Sequence, residues 1–393
     1  MKGVGNNQIM CQLLFFFILI SKDLYLEYSA LFVNVGMFKE SFKYFKRKTP
    51  EPDFSSVIDL DSNKFASQGR RIDLSNVPDV NKGFPGLEPV NKWLAYALNS
   101  SGLIVIRNPF TVQGQRYWIS RCLQDYPRYP NINNLSPHLF SVEVLNDWWR
   151  SLHKCNDPNE VRRMSISMRW ATLGYHHDWD SKKYTEEKHG EFPKDLAALN
   201  AFFATVLGFK NYESQAAIVN FYPIGTTLSA HTDHSEPNRT APLFSLSFGQ
   251  TAIFLIGGKS KEVSPLAIFL RSGDLLVMSG ESRLFYHAVP RIMKSPDESW
   301  NDLVPTASTT SLKTSSCKKP RIDAELLQEE NSYGIDSLLY QQVVDESFWL
   351  SFKKYLNFAR ININVRQVLN KDETNLPTPD QSLETKIEGN TPK

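Results

Sequence analysis

The sequence has little of what would indicate a disulfide scaffold, a structural zinc site or a highly charged partner. Its 393 residues contain four cysteines, none in a CxxC pair: Cys11, Cys122, Cys155 and Cys317. Their scatter predicts a reduced, intracellular protein without structural zinc. Forty-four Lys and Arg against 42 Asp and Glu leave a formal charge of +2. Net charge therefore does not indicate a nucleic-acid partner, and any basic surface must come from local clustering.

The chain also lacks an apolar run long enough to cross a bilayer. The run LLFFFILI at 13–20 is about half of what a transmembrane helix needs. Charged Lys22, Asp23 and Glu27 follow it in place of a small-residue cleavage site. We therefore treat residues 1–36 as a hydrophobic leader whose role the sequence leaves open, and we expect no stable membrane insertion.

An alternative is that the true chain starts at Met37. The segment MFKESFKYFKRK places Phe38, Phe42 and Phe45 at helical spacing among lysines. This pattern predicts a basic amphipathic helix, which suits a docking segment or an organelle-targeting helix.

The composition, with 41% hydrophobic and 12% aromatic residues, predicts a globular core. Composition and periodicity change along the chain and predict four regions after the leader. These are a basic helix with a polar connector at 37–90, a helical and lid region at 91–209, a β-rich domain at 210–370, and a disordered tail at 371–393. A mobile polar insertion is predicted within the β-rich domain, at about 292–340. Within the second region, Trp93 to Leu98 predicts a helix and Leu103 to Ile106 a buried strand. We expect a monomer with one catalytic domain.

The β-rich part contains short apolar segments separated by Gly, Pro and Ser turns, as in a barrel or jelly roll. The strand candidates are AAIVNFY, LFSLSF, TAIFLI, LAIFL, DLLVMSG and LFYHAV. A last helix at 341–357 and a strand at 360–368 complete the predicted domain.

Two histidines and one carboxylate in this part are candidates for a metal site. His231 and Asp233 lie two residues apart, so both point to one face of an extended segment. His287, in a later strand candidate, supplies a possible third ligand. Such a set is the facial triad of non-haem Fe(II) oxygenases. The alternative is that each histidine is a hydrogen-bonded residue of a turn or core.

The strand at 360–368 adds a second signal. Arg360, Asn362, Asn364 and Arg366 alternate with apolar residues, so both arginines face the same way. Their Cα atoms are about 20 Å apart on an extended strand, and inward-leaning side chains shorten this gap to the scale of a small dicarboxylate. The alternative is an edge strand with a charged, exposed face.

Several motifs in order resemble the AlkB group of Fe(II)- and 2-oxoglutarate-dependent dioxygenases: NFY at 220–222, HTD at 231–233, SLSFGQTAIFL, HAVPR and RININVRQV, with WLAYAL, RWATLGYHHDWDSKKY and FFATVLGF upstream. The resemblance covers roughly 90–291 and 342–370. It implies an α+β fold with a double-stranded β-helix (jelly-roll) core, N-terminal helices and a nucleotide-recognition lid.

The resemblance also assigns roles to residues. His231, Asp233 and His287 match the Fe(II) ligands, and the residues that match contacts to the co-substrate 2-oxoglutarate are Asn220, Tyr222, Arg360, Asn362 and Arg366. Within that set, Arg360 corresponds to the arginine that binds the distal carboxylate. Oxygen is the second co-substrate.

Substrate contacts are implied for Tyr175, His176, His177 and the upstream Trp149. These rings, with Trp170 and Trp179, suit stacking on a flipped base, and the alternative is that they pack a lid onto the barrel. Nearby cations suit a phosphate backbone: Arg162, Arg163, Arg169, Lys182 and Lys183.

The resemblance implies oxidation of methylated bases in tRNA, DNA or both. N1-methyladenosine and 5-methylcytidine (oxidised to 5-formylcytidine) in tRNA are favoured, and N6-methyladenine in DNA competes. Three alternatives remain: protein demethylation by the same iron centre, iron-independent lyase cleavage at abasic sites, and a nucleic-acid-binding protein without activity. The expected locations are the mitochondrion, the nucleus or the cytoplasm.

Overall fold

The computed structural model describes residues 36–62, 69–74, 83–98, 101–301 and 332–376. Two antiparallel sheets form its centre, one of nine strands and one of four. Most of the described helices cover the outer face of the larger sheet, and a single helix near the N-terminus covers the outer face of the smaller sheet. The predicted α+β class with a jelly-roll core and helices is confirmed.

The strands of the described residues are β1 (Arg70–Arg71), β2 (Leu94–Leu98), β3 (Leu103–Arg107), β4 (Ile132–Asn133), β5 (Trp170–Gly174), β6 (Ala216–Pro223), β7 (Leu228–His231), β8 (Leu243–Gly249), β9 (Thr251–Ile256), β10 (Leu266–Leu270), β11 (Leu275–Met278), β12 (His287–Met293) and β13 (Ala359–Arg366). The large sheet has the order β1-β2-β3-β11-β8-β13-β6-β5-β4, and the small sheet has the order β10-β9-β12-β7.

The helices of these ranges are α1 (Met37–Lys46), α2 (Val112–Ser120, extended by a π-helix at Arg121–Asp125), α3 (Val142–Asn146), α4 (Trp148–Lys154), α5 (Pro158–Ser167), α6 (Lys194–Val206), α7 (Ser337–Gln342) and α8 (Glu346–Leu356). Side-chain caps explain several starts. Thr111, Asp157 and Asp345 each accept a backbone N–H of the first turn of α2, α5 and α8, and Pro158 opens α5.

Alternation along β13 separates the core from the polar interior. Ile361, Ile363 and Val365 belong to the core beneath the helices. Arg360 and Arg366 therefore face the small sheet, and both are buried. Because β13 lies between β8 and β6, the alternative of an exposed edge strand is wrong.

Helix α1 confirms the predicted basic amphipathic helix. Phe38 and Phe45 are buried against Ile253 and Leu255 of the small sheet. Arg291 of β12 donates a hydrogen bond of 2.9 Å from Nε to the carbonyl of Phe45. The apolar face of α1 thus docks on its own protein. No helix within the described ranges is long and apolar enough to span a membrane, and the predicted leader lies almost wholly outside them, at 1–35.

The helix predicted from Trp93 to Leu98 is wrong, because the chain forms β2 there and pairs with β3. Ala95 contacts the core under the helices, whereas Leu98 contacts the core between the sheets. A strand that is covered on both faces shows no clean alternation, so its pattern does not distinguish it from a helix.

Three predicted boundaries also change. The boundary at 209/210 runs through the large sheet, because β3 pairs with β11 and β5 pairs with β6. The strand candidate LFYHAV becomes a strand only from His287, after a 3-10 turn at Gly280–Leu284. The last helix is two helices, α7 and α8, and the strand that follows them is confirmed.

The ends of the predicted mobile segments are packed. Trp300, inside the predicted insertion, is fully buried, and its carbonyl accepts a hydrogen bond of 2.9 Å from Arg116 Nε. Leu376, inside the predicted disordered tail, is buried, and its N–H donates to Glu186 at 3.0 Å. The polar runs at 302–331 and 377–393 lie outside the described residues.

We expect Trp300→Ala to lower the free energy of unfolding by about 3 to 5 kcal/mol, because it leaves a large cavity beneath the helices. Chemical denaturation measures this change. Trp179→Ala is the control, since that side chain is 46% exposed and its loss costs about 1 kcal/mol or less. Equal effects of the two substitutions would show that the segment around Trp300 does not pack as described.

Candidate metal centre and co-substrate pocket

Three donor side chains meet where β7 ends and β12 begins. His231 and His287 are partners in the β7–β12 ladder, and Asp233 follows His231 by two residues. One ligand atom from each residue lies within 4.8 Å of the other two. The Nε2 atoms of His231 and His287 are each 3.8 Å from a carboxylate oxygen of Asp233. The structure thus brings the predicted triad together.

Backbone carbonyls orient both imidazoles toward this point. His231 Nδ1 lies 2.9 Å from the carbonyl of Ser229, and His287 Nδ1 lies 3.1 Å from the carbonyl of Phe285. A carbonyl only accepts, so each Nδ1 carries a proton, and Nε2 is the nitrogen of each ring that can bind a metal. Burial, followed by repulsion from His231, lowers the pKa of His287 to about 4, which keeps this ring neutral.

Asp233 supplies the negative charge of the triad. Burial, the largest single effect, raises its pKa, but the charges of Arg366, 3.1 Å away, of the two triad histidines and of Arg283 together outweigh burial and hold the pKa well below the usual range. Two neutral imidazoles and one carboxylate are the donor set of a non-haem Fe(II) site that keeps positions open for co-substrates. His234 is exposed and turns its Nδ1 to the carbonyl of Thr232, outside the triad.

Arg360 lies in a pocket between the sheets with most of its donors unused. The side chain is 2% exposed, and its Nη2 donates to Ser247 Oγ at 2.9 Å. Its Nε and Nη1 have no hydrogen-bond partner in the described part of the chain. Burial lowers its pKa to about 10, so the group stays cationic at neutral pH. Burial of a guanidinium with unpaired N–H groups lowers the stability of the folded state, and pairing with an anion offsets this cost.

The sheet register explains why the other predicted co-substrate residues surround Arg360. Tyr222 lies opposite Arg360, and Asn220 lies opposite Asn362, across the β6–β13 ladder. The Tyr222 ring centroid is 5.7 Å from Arg360 Cζ. Asn362 donates from Nδ2 to Ser245 Oγ and to the carbonyl of Leu246, both at 2.9 Å. Its amide N–H groups therefore stabilise the pocket wall instead of facing a ligand.

Arg366 differs from Arg360 because its charge is already matched. It forms ion pairs of 3.1 Å with Asp233 and of 3.1 Å with Glu236. The alternation along the strand predicted that one dicarboxylate lies between the two arginines, whereas Arg366 is paired with Asp233 and Glu236. Arg366 holds the carboxylate of the triad, which leaves Arg360 as the guanidinium without a counterion.

The predicted substrate residues do not share one environment. His177 faces the triad: its Nε2 is 3.1 Å from Ser235 Oγ, and its ring packs edge-on against Trp179 at 4.6 Å. Trp179 also contacts Trp170, with ring centroids 5.3 Å apart. Burial, followed by the charge of Arg366, lowers the pKa of His177, so the imidazole is neutral beside the site.

Tyr175 and His176 are buried inside the segment 175–189, which we call the lid. Tyr175 stacks on His189 with centroids 3.9 Å apart, and its hydroxyl donates to Glu186 at 2.8 Å. His176 pairs through Nδ1 with Thr172 Oγ1 at 2.8 Å. Both rings are therefore engaged within the protein, which agrees with the lid-packing alternative.

Trp149 is not at the site, and its prediction as a substrate contact is wrong. It stacks on Phe352 of α8 at 5.0 Å and contacts Tyr355, in the core beneath the helices. That core lies on the opposite face of the large sheet from Arg360. The sequence near Trp149 does not reveal on which face of the large sheet its side chain packs.

Sequence reasoning missed two buried charges, Glu236 and Arg283. They form an ion pair of 2.9 Å with each other, and Arg283 Nη1 donates to the carbonyl of Asp233 at 2.7 Å. Glu236 follows Asp233 by three residues, which is the only available signal. A polar segment such as HSEPN normally indicates an exposed turn.

Comparisons with known proteins agree with this geometry. A family model described as the 2OG-Fe(II) oxygenase superfamily matches residues 102–366. The mouse nucleic acid dioxygenase ALKBH1 is 36% identical over 347 residues, which is 84% of this chain and 84% of the mouse protein. The tRNA demethylase abh1 of Schizosaccharomyces pombe is 33% identical over 260 residues, 61% of this chain and 86% of that protein. The DNA N(6)-methyladenine demethylase ALKBH1A of Arabidopsis thaliana is 28% identical over 355 residues, 82% of this chain and 90% of that protein.

The chain therefore belongs to the 2-oxoglutarate- and Fe(II)-dependent oxygenases, and within them to the AlkB family. Fe(II), 2-oxoglutarate and O2 are the cofactor and co-substrates of this class, as the resemblance predicted.

We expect one redox-inert Mn(II) ion to bind the purified protein, and Asp233→Ala to abolish this binding, because it removes the only anionic donor of the triad. Electron paramagnetic resonance of free Mn(II) measures the affinity. His234→Ala is the matched control and should bind Mn(II) as the unmutated protein does. Unchanged binding by Asp233→Ala would place the metal elsewhere.

Proposed function

We propose that this protein oxidises methyl groups on nucleic-acid bases, with methylated tRNA as the preferred substrate. The observation that carries the proposal is a metal-type donor triad beside a buried arginine, Arg360, that has no ion pair within the described residues. These two features supply a place for Fe(II) and a place for a dicarboxylate within one interior. Fe(II) with 2-oxoglutarate and O2 supplies the oxidising power that hydroxylates a methyl carbon.

His231, Asp233 and His287 are the proposed Fe(II) ligands. The two carbonyl contacts at Nδ1 fix the imidazoles in the tautomer that a metal needs, and Arg366 keeps Asp233 ionised. Both histidines lie on paired strands, so the sheet sets their separation before a metal binds.

Arg360 is the proposed partner of the distal carboxylate of 2-oxoglutarate. Its Nε and Nη1 lie on opposite sides of the guanidinium and have no partner among the described residues, so either can donate a charge-assisted hydrogen bond to a carboxylate. Tyr222 and Asn220 line the same face of the neighbouring strand. The arrangement orients the other end of the dicarboxylate toward the triad, where Arg366 adds positive charge.

A base is proposed to reach the triad past His177 and Trp179. Trp179 is the exposed ring of this group, at 46%, and it forms a continuous aromatic surface with Trp170 and His177. Aromatic rings stack on bases without regard to sequence. Arg169 is exposed at the start of β5, and Lys182 and Lys183 are exposed in the lid. These cations flank the rings and suit phosphates.

The relatives favour nucleic acid over protein as substrate, since they include a tRNA demethylase and a DNA N(6)-methyladenine demethylase. Hydroxylation of an N-methyl group gives a product that releases formaldehyde, whereas a C-methyl group gives a stable alcohol that can be oxidised further. Formaldehyde release therefore separates N1-methyladenosine from 5-methylcytidine. The mitochondrion, the nucleus and the cytoplasm stay predictions for its location.

Arg360→Met tests the co-substrate site. A buried guanidinium without a counterion is costly, so its replacement by an apolar side chain of similar length should leave thermal stability unchanged or raise it. In the presence of Mn(II), 2-oxoglutarate should raise the melting temperature of the unmutated protein and leave that of Arg360→Met unchanged. We expect the 2-oxoglutarate dissociation constant of Arg360→Met to rise about 30-fold or more. Equal stabilisation of both proteins by 2-oxoglutarate would contradict the assignment.

Substrate class is tested by anaerobic loading with Fe(II), followed by O2 and 2-oxoglutarate. We expect succinate and formaldehyde with stem-loops that carry N1-methyladenosine, and neither product above background with the unmethylated stem-loop or with Asp233→Ala. Trp179→Ala should raise the KM for RNA by about 5-fold or more, from the loss of one stacking contact, without a change in the KM for 2-oxoglutarate. Turnover that only a methylated histone peptide stimulates would contradict the proposal and support protein demethylation.

A further inference from the structure

Glu236 lies at the centre of a buried group of polar side chains that the proposed reaction does not use directly. It is 2% exposed. Its Oε2 lies 2.9 Å from Arg283 Nη2, and its Oε1 lies 3.1 Å from Arg366 Nε. The hydroxyl of Tyr184, in the lid, donates to the same Oε1 at 3.1 Å. All three neighbours are donors, so both oxygens of Glu236 face donors only.

Charge balance explains why this carboxylate is needed. Two guanidiniums contact Asp233, Arg366 at the carboxylate and Arg283 at the backbone carbonyl, and all three groups are buried or nearly so. Without Glu236, two positive charges would face one negative charge in a low-dielectric interior. Glu236 restores a balance of two against two. Asp233 thereby keeps its negative charge available for a metal.

Both guanidiniums contact Asp233 directly. Arg366 Nη2 contacts the Asp233 carboxylate at 3.1 Å, and Arg283 Nη1 donates to the Asp233 carbonyl at 2.7 Å. One contact fixes the side chain and the other fixes the backbone. Glu236 contacts a second nitrogen of each guanidinium, Nε of Arg366 and Nη2 of Arg283, so it limits where both can place Asp233.

The same short segment also anchors the lid. Ser235 accepts or donates a hydrogen bond with His177 Nε2 at 3.1 Å, and Glu236 accepts from Tyr184. The His177 and Tyr184 rings pack edge to face with centroids 5.3 Å apart. Two lid residues are therefore hydrogen-bonded to Ser235 and Glu236, which come two and three residues after Asp233.

We propose that Glu236 is a positioning residue that fixes Asp233 for the metal through Arg366 and Arg283, and that connects this anchor to the lid through Tyr184. The inference rests on the proposed role of Asp233 as an iron ligand. It assigns to Glu236 no contact with metal, co-substrate or substrate.

Glu236→Gln tests the inference, because it keeps the shape of the side chain and removes its charge. We expect the Mn(II) affinity, measured on the full chain by electron paramagnetic resonance, to fall about 10-fold to 100-fold, the usual effect of losing a group that orients a metal ligand. Glu236→Asp restores the charge and should recover part of the affinity. An Mn(II) affinity of Glu236→Gln within twofold of the unmutated protein would overturn the proposal.

A matched control separates positioning from general loss of stability. Asp195 is a buried carboxylate that accepts from Tyr117 Oη at 2.8 Å and from Arg121 Nε at 2.7 Å, in the layer of helices. Asp195→Asn therefore breaks a similar cluster on the opposite face of the large sheet. We expect it to lower the melting temperature as Glu236→Gln does and to leave Mn(II) affinity unchanged. Equal losses of Mn(II) affinity in both variants would show that Glu236→Gln acts through loss of stability and not through the position of Asp233.

Tyr184→Phe provides a second test if Glu236→Gln does not fold, because it removes one hydroxyl only. We expect it to lower Mn(II) affinity by about threefold, as one hydrogen bond to Glu236 is lost. Tyr355→Phe is its control, since Tyr355 belongs to α8, in the core beneath the helices, and its buried hydroxyl has no partner in the described ranges. Identical Mn(II) affinities in Tyr184→Phe and Tyr355→Phe would contradict the connection to the lid.

Failure of the iron-site proposal has a different result. If the unmutated protein binds no Mn(II), or if Asp233→Ala binds it equally well, the proposed triad itself is wrong and the role of Glu236 falls with it. If Asp233→Ala loses Mn(II) and Glu236→Gln retains it, only the positioning role is wrong.

Discussion

The ion pair between Arg366 and Asp233 joins the two sheets at the point where the site forms. Arg366 ends β13 in the middle of the large sheet, and Asp233 follows β7 at the edge of the small sheet. The two residues stay in contact only if the distance between the two sheets is fixed at this point. This buried contact does so, while the β7–β12 ladder sets the distance between the two histidines. The metal-type donor set therefore depends on the way the sheets face each other.

The same strand holds a second arginine, Arg360, whose charge is not paired as that of Arg366 is. Arg366 is matched by two carboxylates, whereas Arg360 has no ion pair within the described residues and keeps two N–H groups without partners. The folded protein thus keeps the Arg360 guanidinium buried in the pocket at a cost in free energy, and an anion that binds there would offset that cost. This difference between two arginines six residues apart gives the interior its polarity: a metal end near Arg366 and a carboxylate end near Arg360.

Much of this could be predicted from the sequence because it depends on period and order. Alternation in RININVR fixes which residues of β13 face inward, and the spacing of His231 and Asp233 puts both on one side of an extended segment. Burial could not be predicted in the same way. Glu236 and Trp300 lie in polar stretches, and Trp149 lies in a helix whose covered face depends on α8, far along the chain. In β2, cover on both faces removed the period that separates a strand from a helix.

The central claim is that one interior holds a divalent metal at the triad and a dicarboxylate against Arg360. An anaerobic crystal structure with Mn(II) and 2-oxoglutarate tests it most directly. We expect an anomalous peak bonded to His231 Nε2, His287 Nε2 and a carboxylate oxygen of Asp233, with the distal carboxylate of 2-oxoglutarate hydrogen-bonded to Nε or Nη1 of Arg360. A metal bound away from these three residues, or 2-oxoglutarate bound with Arg360 still unpaired, would contradict the account.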